Sequence, residues 1–368
     1  MIPYFCVFAI VVLFTIISNY VYKRNKIFSY ICTLASILII CCFAAFRAYT
    51  VGTDINVYGF KRFSYAGLYN SIVDYITLKS FGTEYLYHVL NYIVYKTSHS
   101  FQLFLFILQL IPVLVVYRLA SKNRTNSTYS LYIICYLFIW FNSSLNILRQ
   151  TIAIFIVLYA YNYIEQKKYL KYIIFVLIAS LFHSTALICL LMPCMQIFSN
   201  RKNKFLHLFF IVVILFFSYF TLDILLKMIS TMPILNEYQR YITYNSGETF
   251  SSIFMFVKLI FLILNITYAK YIEKNKSNSL LIYYVTLDFV LYCSSAFIDY
   301  GYRISYYFLP YWIMLIPKID FSIEDRKVKS TYRLLIAILL VLYWVVRFVI
   351  CKYDGTIPYK FYEGRIII

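Results

Sequence analysis

The chain has 368 residues, 62% of them hydrophobic and only 13% charged, and a mean hydropathy of +0.75, more apolar surface than a soluble domain of this size can hide. A net charge of +19 would suggest nucleic acid in a soluble protein, but the basic residues fall in short clusters between apolar runs, which excludes one exposed nucleic-acid-binding face. Gly and Pro are too few for a linker-rich chain and the alternation of a β-barrel is absent, which leaves an all-α, polytopic integral membrane protein.

The first apolar run, Ile2 to Tyr22, reaches the roughly 20 residues that a helix needs to cross hydrocarbon. Its charges, Lys23, Arg24 and Lys26, follow rather than precede it, so it reads as a span and not as a leader peptide. Further runs predict spans at 27–46, 101–121, 128–146, 150–165, 170–182, 184–199, 205–222, 251–271, 279–298, 304–319 and 331–350. Between them come the basic clusters Lys23-Arg24-Lys26, Arg118-Lys122-Arg124, Lys167-Lys168-Lys171, Arg201-Lys202-Lys204, Lys270-Lys274-Lys276 and Lys318-Arg326-Lys327-Lys329. Placing every cluster on the cytoplasmic side requires two crossings between consecutive clusters. The expectation is a single transmembrane domain, 1–368, of about twelve transmembrane helices with both termini outside.

Residues 169–198 decide that count. As one helix they would run about 45 Å, against a hydrocarbon core of roughly 30 Å. One crossing there would invert every later cluster, so the sequence favours two short helices meeting near His183, with His183 and Ser184 at the outer end.

Three outer segments follow from this topology: 47–100, 223–250 and the tail 351–368. In the first, Glu84, His88, Asn91 and Tyr95 recur at helical spacing, with Leu86, Leu90, Ile93 and Val94 on the other face. That pattern predicts an amphipathic helix lying on the membrane or re-entering it. Neither a Gly-rich nucleotide loop nor a repeat is present. The nine cysteines lie mostly inside apolar runs, without CxxC pairs or His-x-x-His spacing, so no disulfide framework, metal site or cofactor is expected. The 41 tyrosines suit an interfacial girdle, with a small share left for stacking against sugars.

The outer helix ends carry Arg47, Asp54, Glu84, His88, Arg149, His183, Asp299 and Arg303. Arg47, Arg149 and Arg303 run against the positive-inside trend. Each guanidinium either snorkels to headgroup phosphates or, with the others, forms a clamp that binds a pyrophosphate and stabilises it as a leaving group. His183 has the near-neutral titration of a general base for a hydroxyl, or caps the two broken helices. Asp54, two residues after Gly52, sits where a tight turn would present a carboxylate, as base, as acceptor of a sugar hydroxyl or as partner of Arg47. Asp288 and Lys258 lie within predicted spans and suit an intramembrane pair or, equally, a direct functional role.

In order along the chain, Arg47-x5-Thr53-Asp54-x3-Tyr58, Glu84-x-Leu86, Leu148-Arg149-Gln150-x2-Ala153, Ala179-x3-His183-Ser184, Arg303-x2-Tyr306-Tyr307-Phe308 and Ile357-Pro358-Tyr359 resemble the EpsG family of Wzy-like bacterial polysaccharide polymerases. The resemblance implies a GT-C-like membrane glycosyltransferase of the bacterial plasma membrane, its site facing the outside or periplasm. It implies metal-independent transfer of a growing glycan from undecaprenyl pyrophosphate to the terminal sugar of an incoming lipid-linked repeat unit. In that reading Arg47, Arg149 and Arg303 hold the pyrophosphate. His183 is base or orienter, and Asp54 and Glu84 bind or polarise sugar hydroxyls. A chain-length regulator and a flippase are the implied partners, besides the bilayer and the lipid-linked glycans, and nucleic acid is not one. The rivals are a lipid-linked oligosaccharide flippase or other transporter, an O-antigen-ligase-type transferase, and an acyltransferase. The last would need a cytoplasmic thioester donor site, and His207 is the one inward-facing histidine evident for it.

Overall fold

Lipid offers backbone N–H and C=O groups no partner, so apolar runs must satisfy them internally, and helices do this within one segment. The computed structural model describes residues 1–77, 84–125, 128–199, 250–272, 276–296 and 301–363. Among these the regular elements are helical, and the one β-type contact is an isolated bridge between Arg47 and Phe361. The chain begins with α1 (Ile2–Val21) and α2 (Lys26–Ala45), whose first turn is capped by the Asn25 side chain accepting from Phe28 N at 2.9 Å. Two short helices, α3 (Phe60–Tyr65) and α4 (Ile72–Ile76), lead to α5 (Tyr85–Ser98) and the Ser100-capped α6 (Phe101–Lys122). Next come α7 (Thr128–Ile139), α8 (Phe141–Asn146), α9 (Leu148–Glu165), α10 (Tyr169–Ser180), a 3-10 turn over Ser184–Leu191, and α11 (Met192–Ser199). After these stand α12 (Ser252–Tyr268), α13 (Lys276–Ser294), α14 (Gly301–Ser305), α15 (Tyr311–Ser322) and α16 (Arg326–Trp344), the last running on as a π turn over Val345–Ile350.

Five helices among the described residues are long and apolar enough to cross a membrane: Ile2–Val21, Lys26–Ala45, Phe101–Lys122, Ser252–Tyr271 and Arg326–Ile350. Shorter apolar helices cover Thr128–Ile139, Tyr169–Ser180 and Ser184–Met195. The continuous span expected over 128–146 is divided at Trp140, and the one over 304–319 starts as α14 and resumes as α15. The expected span 205–222 with His207, the cluster Arg201-Lys202-Lys204, the outer loop 223–250 except Phe250, and Asp299 lie outside the described residues.

The fold-back near His183 is present. Tyr172 Oη donates to the Cys189 carbonyl at 2.8 Å, whereas a continuous helix would hold those residues roughly 25 Å apart along its axis. The Lys258–Asp288 pair also forms, at 2.8 Å, with the Trp312 indole donating to the second Asp288 oxygen at 2.9 Å.

Two opposite ends emerge from the contacts. At one, Arg124 bonds Ser18 O and Asn19 at 2.9 and 3.1 Å, Lys122 bonds Asn162, and Lys318 lies 3.5 Å from Glu165. Arg333 grips Asp320 there at 2.6 and 2.9 Å, and Tyr332 reaches Asn265 at 2.9 Å. The described basic clusters thus share this end. At the other end the tail returns over the start of α1 and the finish of α2. Tyr4 Oη donates to Thr356 O at 2.6 Å, Tyr359 Oη to Phe43 O at 2.6 Å, and the Phe43 and Tyr359 rings stack at 4.0 Å.

Candidate active site

The site lies at the tail end of the bundle, away from the basic clusters. Its centre is Glu84, which precedes α5 and is 6% exposed. A backbone bond from Leu86 N to Leu181 O, 3.0 Å, ties the start of α5 to the bend after α10 and brings Glu84 beside His183. His183 Nδ1 lies 2.5 Å from Glu84 Oε1. Arg149, at the start of α9, donates to Glu84 Oε2, and Arg62 of α3 stands 3.9 Å from that same oxygen. One carboxylate therefore joins three elements far apart in sequence.

Burial alone would push the Glu84 carboxyl up; Arg149, His183 and Arg62 outweigh it and hold it at about 2. At neutral pH Glu84 is an anion that can only accept, so the hydrogen bond requires the proton of His183 on Nδ1. With that proton on Nδ1, Nε2 is the ring nitrogen left to take another.

Asp54 forms the second half. Thr53 Oγ1 and Asp54 N both donate to Asn146 Oδ1, at 2.9 and 3.0 Å, and Tyr58 Oη donates to Asp54 Oδ2. Asn146 Nδ2 in turn donates to Asp354 Oδ1 at 3.2 Å, and Ser143 to Asp354 Oδ2 at 2.7 Å. Arg347 stands 3.6 Å from that Asp354 oxygen. Burial pushes the Asp54 carboxyl up from the usual range. The Tyr58 hydrogen bond and the Arg149 and Arg303 charges oppose this without cancelling it, and Asp354 adds to it. Tyr58 also joins the halves, for the guanidinium groups of Arg149 and Arg62 lie 4.1 and 5.2 Å from its ring centre.

The loop that carries Asp54 is held by backbone chemistry. Gly52 has φ +89°, and a Cβ there would meet Leu145 O at 2.6 Å, so the expected tight turn demands glycine. Arg47 is placed apart from the Glu84 group. Its Nε donates to Val51 O at 3.2 Å, Nη2 to Leu145 O at 2.8 Å and Nη1 to Ala44 O, so the buried fork fastens the loop to α2 and α8. Arg303 stands close enough for its charge to act on Asp54; its backbone is anchored by Gln150 Nε2 at 2.9 Å, and its Nε donates to Tyr302 at 3.2 Å.

The structure thus brings together Glu84, Arg149 and His183, sets Asp54 and Arg303 beside them, and gives Arg47 to the scaffold. On α5 the polar stripe points inward. His88 and Asn91 are fully buried, His88 against Tyr75 and Tyr87, while Ile93 is 49% exposed. Sequence reasoning passed over Arg62, Asn146, Asp354 and Arg347. Arg62 was open to the same outer-arginine argument as Arg47, whereas nothing local marks Asn146 or Asp354. Among the described residues no three His, Cys, Asp or Glu side chains gather as metal ligands.

The family model described as EpsG family matches residues 30–361, which contain every residue of this cluster. No curated protein and no solved structure gives a significant match.

Proposed function

The chain belongs to the EpsG family, and from that premise we propose that it is a polysaccharide polymerase that transfers a growing glycan from a polyprenyl pyrophosphate carrier (undecaprenyl pyrophosphate in bacteria) to the terminal sugar of a second lipid-linked repeat unit. The observation that carries this reading is the Glu84 carboxylate shared by His183 and Arg149 beside Asp54. It combines an oriented base with buried cations, the two things a glycosyl transfer from pyrophosphate needs.

In the proposed step, the acceptor hydroxyl oxygen forms a bond to the anomeric carbon of the donor. The bond from that carbon to the pyrophosphate oxygen breaks, and the lipid pyrophosphate leaves with the electron pair. The hydroxyl proton passes to His183 Nε2, and Glu84 stabilises the resulting imidazolium as it orients the ring. Arg149 and Arg303 face the charge that grows on the leaving group, with Arg62 reinforcing Arg149. Asp54 Oδ2 is engaged by Tyr58, and Oδ1, which takes no hydrogen bond among the described residues, accepts from a sugar hydroxyl. Arg47 serves by holding the Asp54 loop. The positive-inside rule assigns the basic end to the cytoplasm, which sets this chemistry at the outer face of the plasma membrane.

The test is to incubate purified protein with defined lipid-pyrophosphate repeat units and resolve the glycans by size. A ladder of longer products, with release of lipid pyrophosphate, is expected. Substrate that crosses the bilayer with no new glycosidic bond would instead identify a transporter.

A further inference from the structure

We propose that a groove at the basic end, between α1, α7 and α16, is a binding site for one anionic phospholipid. Near the tail end α1 and α16 touch, with Phe5 and Tyr4 packed on Trp344 at ring distances of 5.0 and 5.8 Å. Towards the basic end they diverge and α7 forms the floor. The wedge has a volume of about 630 Å³, within the roughly 300–1,000 Å³ of built ligand sites. Ile16, Leu131, Ile134, Ile336 and Leu340 line its length, an apolar surface suited to an acyl chain.

The mouth has a different chemistry. Lys23 and Arg24, in the turn between α1 and α2, stand at it, and neither has a carboxylate within 4 Å among the described residues. Arg333 on the opposite wall is already neutralised by Asp320, with two hydrogen bonds. Arg124 is also engaged, wedged between the Tyr22 and Tyr129 rings at 3.8 and 4.1 Å. Arg24 also lies over the Tyr20 ring at 5.4 Å, and neutral rings leave a guanidinium its charge, so Lys23 and Arg24 are the cations lining the mouth that no carboxylate offsets among the described residues. These two residues follow the end of α1 by two and three positions, where a basic side chain can meet headgroup phosphates. An apolar trough ending in two cations matches a lipid with a net negative headgroup. A choline headgroup would place its own cation against them.

The site is remote from Glu84, so it can be tested without touching the proposed chemistry. Full-length protein in nanodiscs of equal parts phosphatidylglycerol and phosphatidylcholine would be released into native mass spectrometry. One retained phosphatidylglycerol is expected. A Lys23→Gln/Arg24→Gln variant should weaken its retention by about tenfold or more. An Ala337→Trp variant, which fills the trough and leaves the rim charges, should expel it. Equal retention of both lipids, or undiminished phosphatidylglycerol on the rim variant, overturns the proposal. If Ala337→Trp does not yield folded protein, the rim variant decides alone.

Discussion

Replacing Glu84 by Gln changes one oxygen for an amide and leaves the shape almost intact. In the native site both carboxylate oxygens accept, Oε1 from His183 and Oε2 from Arg149. An amide turns one of those acceptors into a donor: with its NH2 towards Arg149 two donors meet, and with its NH2 towards His183 the ring must take the Nε2–H tautomer to accept, which removes the basic nitrogen from the far side. Holding the carboxyl at about 2, against an ordinary 4.5, corresponds to about 3 kcal/mol in favour of the charged form. Breaking a buried ion pair from one side typically costs ~3–5 kcal/mol, so the two routes agree. The sign follows from the depressed value. Glu84 stabilises the fold fully above the unfolded carboxyl range, near pH 4.5, and that contribution is lost as pH falls towards 2. Glu84→Gln should therefore melt earlier at neutral pH and lose the part of the acid limb that this carboxyl supplies. With His183 either unoriented or held as the Nε2–H tautomer, the rate of chain extension should fall by about 10²–10⁴. Initial rates on lipid-linked repeat units and melting curves between pH 7 and pH 3 measure both effects. A variant that polymerises within threefold of the native rate, with an unchanged melting point and acid limb, would refute this account of the cluster.

Three further substitutions probe the surroundings. Arg149→Lys keeps a charge but loses the planar fork between Glu84 and Tyr58; kcat should drop by about tenfold or more, with melting little changed, in the same extension assay. Gly52→Ala places a Cβ 2.6 Å from Leu145 O at a positive φ and should destabilise the fold by about 1–3 kcal/mol in thermal melts, with activity lost in proportion to the folded fraction. Asn146→Ala leaves Thr53, Asp54 N and Asp354 without their shared partner. It should cost about 1–3 kcal/mol and shift the pH–rate profile if Asp54 contacts the substrate; an unchanged profile would remove Asp54 from the chemistry.

How much of this was legible in the sequence differs by feature. The fold-back at His183 could be read because two independent constraints, hydrophobic length and charge placement, agreed on it, and the Tyr172 contact to Cys189 bears it out. The placing of Glu84, Arg149 and His183 at one end of the bundle followed from the same charge placement. Their convergence on one carboxylate did not, since it depends on the Leu86 to Leu181 backbone bond, a contact across 95 residues (181 − 86) with no local signature. The break at Trp140 was hidden for a related reason. No Gly or Pro marks it, and the polar run Asn142, Ser143, Ser144 and Asn146 is buried only because Thr356, Asp354 and Gln109 supply its partners. Arg47 shows the opposite case. An arginine at such a boundary invites a ligand, and nothing local tells that its donors go to the carbonyls of Val51, Ala44 and Leu145.

The tail's closure over the site has a consequence for how the protein is made. Asp54 and Asp354 meet through Asn146, yet 300 residues (354 − 54) separate them in order of synthesis. At ~5–20 residues per second, that interval is about 15–60 s. During it Glu84, Arg149, His183 and Arg303 are all in turn delivered to the membrane, while Asn146 still lacks its acidic partner. The Asp54 loop becomes fully fastened only when Asp354 arrives, so a nascent chain would hold its reactive groups before it holds them in register.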